Sequence, residues 1–205
     1  MKILALSDIV VDWIYSPKIR RILSDTELVI GCGDLPSDYL EFINSTLDIP
    51  VFYVHGNHSH SETEGKVSDR NSRGSIDLHS KVIRLKGNTF AGVEGSIRYN
   101  NGNYQSSQFD MWLNVILLVP SLLTNRIKYG RFLNVFVTHA PPWGIHDQPD
   151  LAHQGIKAFR WLITHFKPDY HLHGHIHVYR PDTITVTDFE KTIVINTYGY
   201  QKIDL

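Results

Sequence analysis

The chain has a single cysteine, Cys32, so no intrachain disulfide can brace it. A lone thiol fits a reducing compartment. The first apolar run is cut by Asp8 and Asp12, with no small-residue cleavage site after it, so it makes a poor secretion signal and the chain reads as cytoplasmic. Long apolar runs are missing too: the longest, "VILLVPSLL", is too short to span a bilayer and contains Pro120. There is no excess of either charge: 20 Lys and Arg face 21 Asp and Glu, a net charge of -1. That argues against a non-specific nucleic-acid or membrane-surface binder, which needs a basic surplus, and leaves room only for local basic patches. No repeat, low-complexity tract or linker is visible, so residues 1–205 read as one domain. No oligomeric state is legible.

Histidine is what the chain has in excess. Of 12, eight lie between His139 and His177. Scatter explains that crowding poorly, whereas a function that needs imidazole explains it well.

The apolar patterning alternates strand with helix. "KILAL", "ELVIGCGD" and "VFYVHGNH" read as strands. "SPKIRRILS", with Ser16 as N-cap and Pro17 first in the turn, reads as a short helix between the first two. "PSDYLEFINSTL" reads as a helix between the second and third, with Leu40, Ile43 and Leu47 on one face. Such alternation predicts right-handed crossovers and parallel pairing. Residues 59–74 read as a long polar loop, and "KVIRLKGNTFAGVEG" as a hairpin turning at Gly87-Asn88. "SIRYNNGNYQSS" reads as a second polar loop, and 108–127 as a helix broken near Pro120. "FLNVFVTHAPP" is a strand, "GIKAFRWLITHF" an amphipathic helix, "DYHLHGHIH" a strand with a His-rich exit, and "TITVTDFEKTIVINTYG" a closing hairpin. The class is mixed α/β.

Five of these strands end in a metal-capable side chain: Asp8, Asp34, Asn57 with His58, His139, and His175 with His177. Ligands of α/β sheets collect at the carboxyl ends of strands. Taken singly, each exit has a bland reading, since Asp after a strand usually forms a turn and "GNH" tolerates left-handed geometry. Five in one chain make the bland reading a poor one.

The order of "SDIV", "GCGDL", "HGNHSH", "VTHAPP" and "HGHIH" resembles the calcineurin-like metallophosphoesterase superfamily, and "THAPPWGIHD" resembles its small bacterial-type branch. The resemblance implies a two-sheet β-sandwich flanked by helices, a four-layer αββα fold. It implies two divalent metal ions, with Asp34 bridging them, Asp8 and His177 on the first ion, and Asn57, His139 and His175 on the second. It places His58 beside the substrate phosphate, stabilising charge on the departing oxygen. The expected activity is hydrolysis of a phosphodiester or phosphomonoester by a metal-activated water, with a small phosphorylated or nucleotide-like substrate. Oxygen and nitrogen ligands suit manganese, iron or zinc.

Two positions depart from the family pattern. Val10 stands where a first-ion histidine is usual, so the first site is expected to be the weaker. Asp12 reads as a solvated turn residue, with the alternative that it reaches in to replace the missing ligand. Ser59 stands where an acidic residue usually orients the catalytic histidine. His146 and His153, in the loop after His139, are candidate substrate contacts, with surface placement as the alternative. Cys32 reads as a packed residue and not a thiolate ligand. The rival reading, a non-catalytic binding or scaffold protein on a degenerate fold of this kind, draws on Val10 and Ser59.

Overall fold

The computed structural model describes residues 1–58 and 72–205. Most of the expected loop at 59–74, and Ser59 with it, lies outside the described residues.

Strands β1 (Lys2–Ser7), β2 (Leu28–Cys32) and β3 (Val51–Val54) pair in parallel, as the alternation predicted. Helices α1 (Ile19–Ile22) and α2 (Ser37–Leu47) make the crossovers. Lys18, not Ser16, caps α1. The short β4 (Ile76–Asp77) extends one edge, and β13 (Gly199–Asp204) returns antiparallel to β1 at the other. The second sheet runs in the order β11-β12-β10-β9-β6-β5. Its members are β5 (Val82–Leu85), β6 (Asn88–Val93), β9 (Val135–Thr138), β10 (Tyr170–His173), β11 (Val186–Phe189) and β12 (Thr192–Asn196). A two-stranded ladder, β7 (Ser96–Ile97) with β8 (Gln105–Ser106), lies inside the stretch read as a second polar loop.

Alternation of side chains builds the layers. In β1, Ile3 and Ala5 enter the core between the sheets, where they share a cluster with Val135, Val137 and Leu172. Leu4 and Leu6 point the other way, into the core under α1 and α2. On the far side, Phe136 of β9 meets α3 (Gln108–Tyr129) and α4 (Lys157–Phe166). The result is helices, sheet, sheet, helices, the four-layer αββα arrangement.

Two local expectations shift. The hairpin turns at Lys86-Gly87, because Leu85 pairs with Asn88 and both turn residues take positive φ, 46° and 87°. Helix α3 runs unbroken through Pro120. A proline inside a helix costs about 3 kcal/mol. Burial of Met111, Val115, Leu118 and Leu122 against the second sheet, at about 1.5–3 kcal/mol each, outweighs that. The Pro120 ring itself faces solvent. A reciprocal capping box between Ser107 and Asp110 fixes the helix start.

Candidate metal centre

Side chains from the five strand exits gather in one crevice, linked through His139 and Asp8. Three exits belong to the first sheet and two to the second, so the crevice lies where the two sheets open at the carboxyl ends of their parallel strands. Asp8, Asp34 and His175 all take left-handed backbone, with φ of 66°, 53° and 68°. Non-glycine residues rarely do so, and such strain clusters at functional sites. Here it turns the chain sharply off each strand, so that the side chain doubles back into the crevice. Two glycines make room: a Cβ on Gly33 would lie 2.3 Å from His139 Nδ1, and one on Gly56 2.0 Å from Asp34 Oδ1.

His139, fully buried, is the hub. Its Nε2 lies 3.0 Å from Asn57 Oδ1, 3.3 Å from Asp34 Oδ2 and 3.2 Å from His175 Nδ1. Ligand atoms of Asp8, Asp34 and His139 all fall within 4.8 Å of one another. His177 Nε2 stands 3.8 Å from Asp8 Oδ1, at the outer edge of the group. The His175 backbone N–H donates to both Asp8 oxygens, at 3.0 and 3.2 Å, and ties the exit of β10 to that of β1.

The hydrogen bonds around this hub assign its lone pairs. Carbonyl oxygens only accept, so His139 Nδ1 carries the proton it donates to Cys32 O (2.9 Å), and its Nε2 is the atom that a proton or a cation shares with Asp34 and Asn57. His175 Nε2 likewise donates to Ala152 O (2.7 Å), which leaves its Nδ1 bare. Asn57 Nδ2 donates to the Tyr99 hydroxyl (2.9 Å), so its carbonyl oxygen faces inward. Asp34 adds a carboxylate whose other oxygen accepts the His58 backbone N–H at 2.8 Å. Three acceptor atoms, from Asp34, Asn57 and His175, thus surround His139 Nε2, more than the single proton of that nitrogen could satisfy. A cation satisfies all of them, and an oxygen-and-nitrogen set of this kind fits a divalent transition metal.

Charge in the crevice follows the same geometry. Burial pushes the Asp34 carboxyl up, but His139 and the His58 N–H outweigh it and hold it down at about 2. Burial opposes a proton on His139, yet the Asp34 carboxylate raises its pKa to about 9. Asp8 is raised by burial. His175 is lowered to about 3 by burial and by its neighbour His139.

The other expected residues divide. The His58 side chain is exposed and lines a cleft of about 160 Å³ with Asn57, Tyr99 and Gln105. His153 stacks near His175, ring centres 5.4 Å apart, and pairs with Asp150 at 2.9 Å. His146 is turned inward: its Nδ1 meets His173 Nε2 at 2.8 Å and its Nε2 meets Thr187 Oγ1 at 2.9 Å, so both ring nitrogens are engaged within the fold. Val10 and Asp12 are exposed. Cys32 is buried between the sheets, its thiol pushed up to about 12 by burial, and it serves the site only through its backbone oxygen.

Three residues shape the site in ways the sequence did not announce. Tyr99 orients the Asn57 amide. Tyr179 bonds His177 Nδ1 through its hydroxyl at 2.7 Å. His173 donates from Nδ1 to Gly174 O (2.9 Å) and so steadies the turn that carries His175. Only His173 left a trace in the sequence, in the histidine crowding.

The profile of the calcineurin-like phosphoesterase family matches residues 1–179, and the chain belongs to that family. Its members bind divalent metals and act on small phosphorylated substrates, and the Asp8, Asp34 and His139 group is a possible metal-binding set of that kind. The fold is shared with the protein TT1561 of Thermus thermophilus (15% identity, TM-score 0.64, covering 97% of this chain and 89% of that one). It is also shared with a hypothetical protein from the same organism (16%, 0.51, 96% and 75%). GAP50, the anchor in the inner membrane complex of Plasmodium, is a more distant likeness (10%, 0.50, 96% and 70%). No curated protein matches the sequence. Among the described residues, no helix is long and apolar enough to cross a membrane.

Proposed function

We propose that residues 1–205 form one domain that hydrolyses a phosphodiester or phosphomonoester of small, nucleotide-like size in the cytoplasm, with divalent ions of manganese, iron or zinc. The observation that carries this reading is the convergence of four potential ligand atoms, from Asp34, Asn57, His139 and His175, around His139 Nε2. In the proposal Asn57, His139 and His175 would hold one ion and Asp8 and His177 the other, with Asp34 available to both. Ions bound there would polarise the phosphate and lower the pKa of a water, which removes any need for a protein nucleophile.

The chain's own residues then orient and protonate. The Asp34 carboxylate is fixed by the His58 N–H, and Asn57 by Tyr99. The His58 ring, exposed at the polar cleft, delivers a proton to the departing oxygen. His153, beside His175 at the surface, contacts the substrate. Val10 makes the first site the weaker, and its exposure leaves room for a larger side chain.

The test is hydrolysis of a chromogenic phosphodiester and its monoester. The expected result is activity that disappears on chelation and returns with manganese. Activity that persists in fully stripped protein would overturn the metal mechanism. A protein that binds metal but hydrolyses neither ester under any loading would favour the non-catalytic reading.

A further inference from the structure

Helix α3 is apolar on two opposite faces. Met111, Val115, Leu118 and Leu122, spaced four, three and four residues apart, are buried against the second sheet. Phe109, Leu113, Ile116, Pro120, Leu123 and Ile127 repeat the spacing four, three, four, three, four, two residues out of step and so about 200° around the helix. This second stripe faces solvent: Phe109 is 69% exposed, Ile116 51% and Ile127 86%, with Leu117 beside it at 67%. No charged residue interrupts the helix from Met111 to Leu123. Single exposed apolar side chains are ordinary, but a contiguous stripe is not, and a helix apolar all round belongs inside an assembly.

We infer that this stripe is a self-association surface, on which α3 packs antiparallel against α3 of a second copy of the chain about a two-fold axis. Alternating spacings of four and three form the seam of a packed helix pair. The order reads the same in both directions, so an antiparallel alignment sets Phe109 opposite Ile127, Leu113 opposite Leu123 and Ile116 opposite Pro120 in every layer. That is the self-complementarity a two-fold interface requires. The charges at the ends select the same orientation. Asp110 lies at the amino end, and Arg126 and Lys128 at the carboxyl end. Antiparallel packing brings Asp110 level with Arg126 of the other copy and opposes the helix dipoles, whereas parallel packing stacks like charges together.

A membrane is a poorer occupant. Surface-binding helices carry basic residues along the polar face, which the middle of α3 lacks, and the chain has no basic surplus. The seam is one helix wide and about 33 Å long. That is smaller than a standard interface of roughly 800 Å² per partner, so the affinity is expected to be micromolar. Helix α3 contributes no residue to the metal centre, and so its surface variants leave hydrolysis unchanged.

Sedimentation equilibrium from about 1 to 100 µM, bracketing a micromolar Kd, reads the association directly. Wild type is expected to pass from monomer to dimer across this range. Leu117→Glu and, as an uncharged check, Leu117→Gln are expected to remain monomeric with unchanged melting temperature and metal content. Arg126→Glu is expected to weaken the dimer several-fold at low salt, with the effect fading as salt rises. A wild type that stays monomeric at the highest concentration would overturn the inference. So would a dimer indifferent to both Leu117 variants, or monomers that bind phosphatidylcholine–phosphatidylserine vesicles through Leu117.

Discussion

Replacing His58 with alanine is expected to lower turnover about 10²–10⁴-fold, the usual worth of a general acid or base, while bound metal stays at the wild-type level. The reason is a division of labour within one residue. The backbone N–H of His58 holds Asp34 Oδ1, and that bond survives the substitution. The side chain is exposed at the cleft and stands outside the converging acceptors. Its removal takes away a proton donor and leaves the acceptors intact. His175→Ala makes the contrast, because it deletes one of the four potential ligand atoms and is expected to release metal along with activity. Metal analysis and initial rates on the two variants separate the roles. Equal loss of metal from both would show that His58 is a ligand and not the acid.

The metal-stripped protein is expected to unfold in mild acid, near pH 5. Among the described residues burial lowers five imidazoles, His79 and four that are shifted far: His146 to about 4, His171 and His175 to about 3, and His173 well below its ordinary value. Their ordinary value is about 6.5, so the stability tied to their neutral state is intact above that pH and lost as pH falls below it. Each such group costs about 1.4 kcal/mol per pH unit, so four cost about 5 kcal/mol per unit against a typical total of 5–15 kcal/mol. His139 works in the other window. Its raised pKa adds stability below about 6.5 that is lost as pH rises through about 9. Asp34, depressed to about 2, loses its contribution only below the ordinary carboxylate range, and Asp8, raised by burial, gains slightly as it protonates. Stability is therefore expected to peak near pH 6.5–7 and to collapse on the acid side. Circular dichroism melts from pH 8 to pH 4 measure it. A melting temperature unchanged from pH 7 to 4.5 would mean these imidazoles are not held neutral.

Much of this was legible in the sequence, for identifiable reasons. The parallel β1-β2-β3 unit followed from apolar runs separated by helical periodicity. The five exits followed from residue type at strand ends, and the structure gathers Asp34, Asn57 and His175 around His139, with Asp8 beside them and His177 reaching Asp8 at the edge. What could not be read was long-range. That β13 pairs with β1 across 200 residues, or that Tyr99 reaches Asn57, is set by packing and has no local signature. The inward turn of His146 depends on His173 and Thr187, contributed by two other strands. Proline at position 120 looked like a helix breaker because its cost is local, while the burial that outweighs it is tertiary.

The ligand atoms gathered around His139 Nε2 are expected to hold a divalent cation. Calorimetric titration of the stripped protein with manganese tests it most directly. Two events are expected, one well tighter than the other because Val10 offers no ligand to the first ion. His139→Ala is expected to abolish the tighter event, and Val10→His to narrow the gap between the two. A wild type that takes up no manganese, or a tight event that survives in His139→Ala, would contradict it.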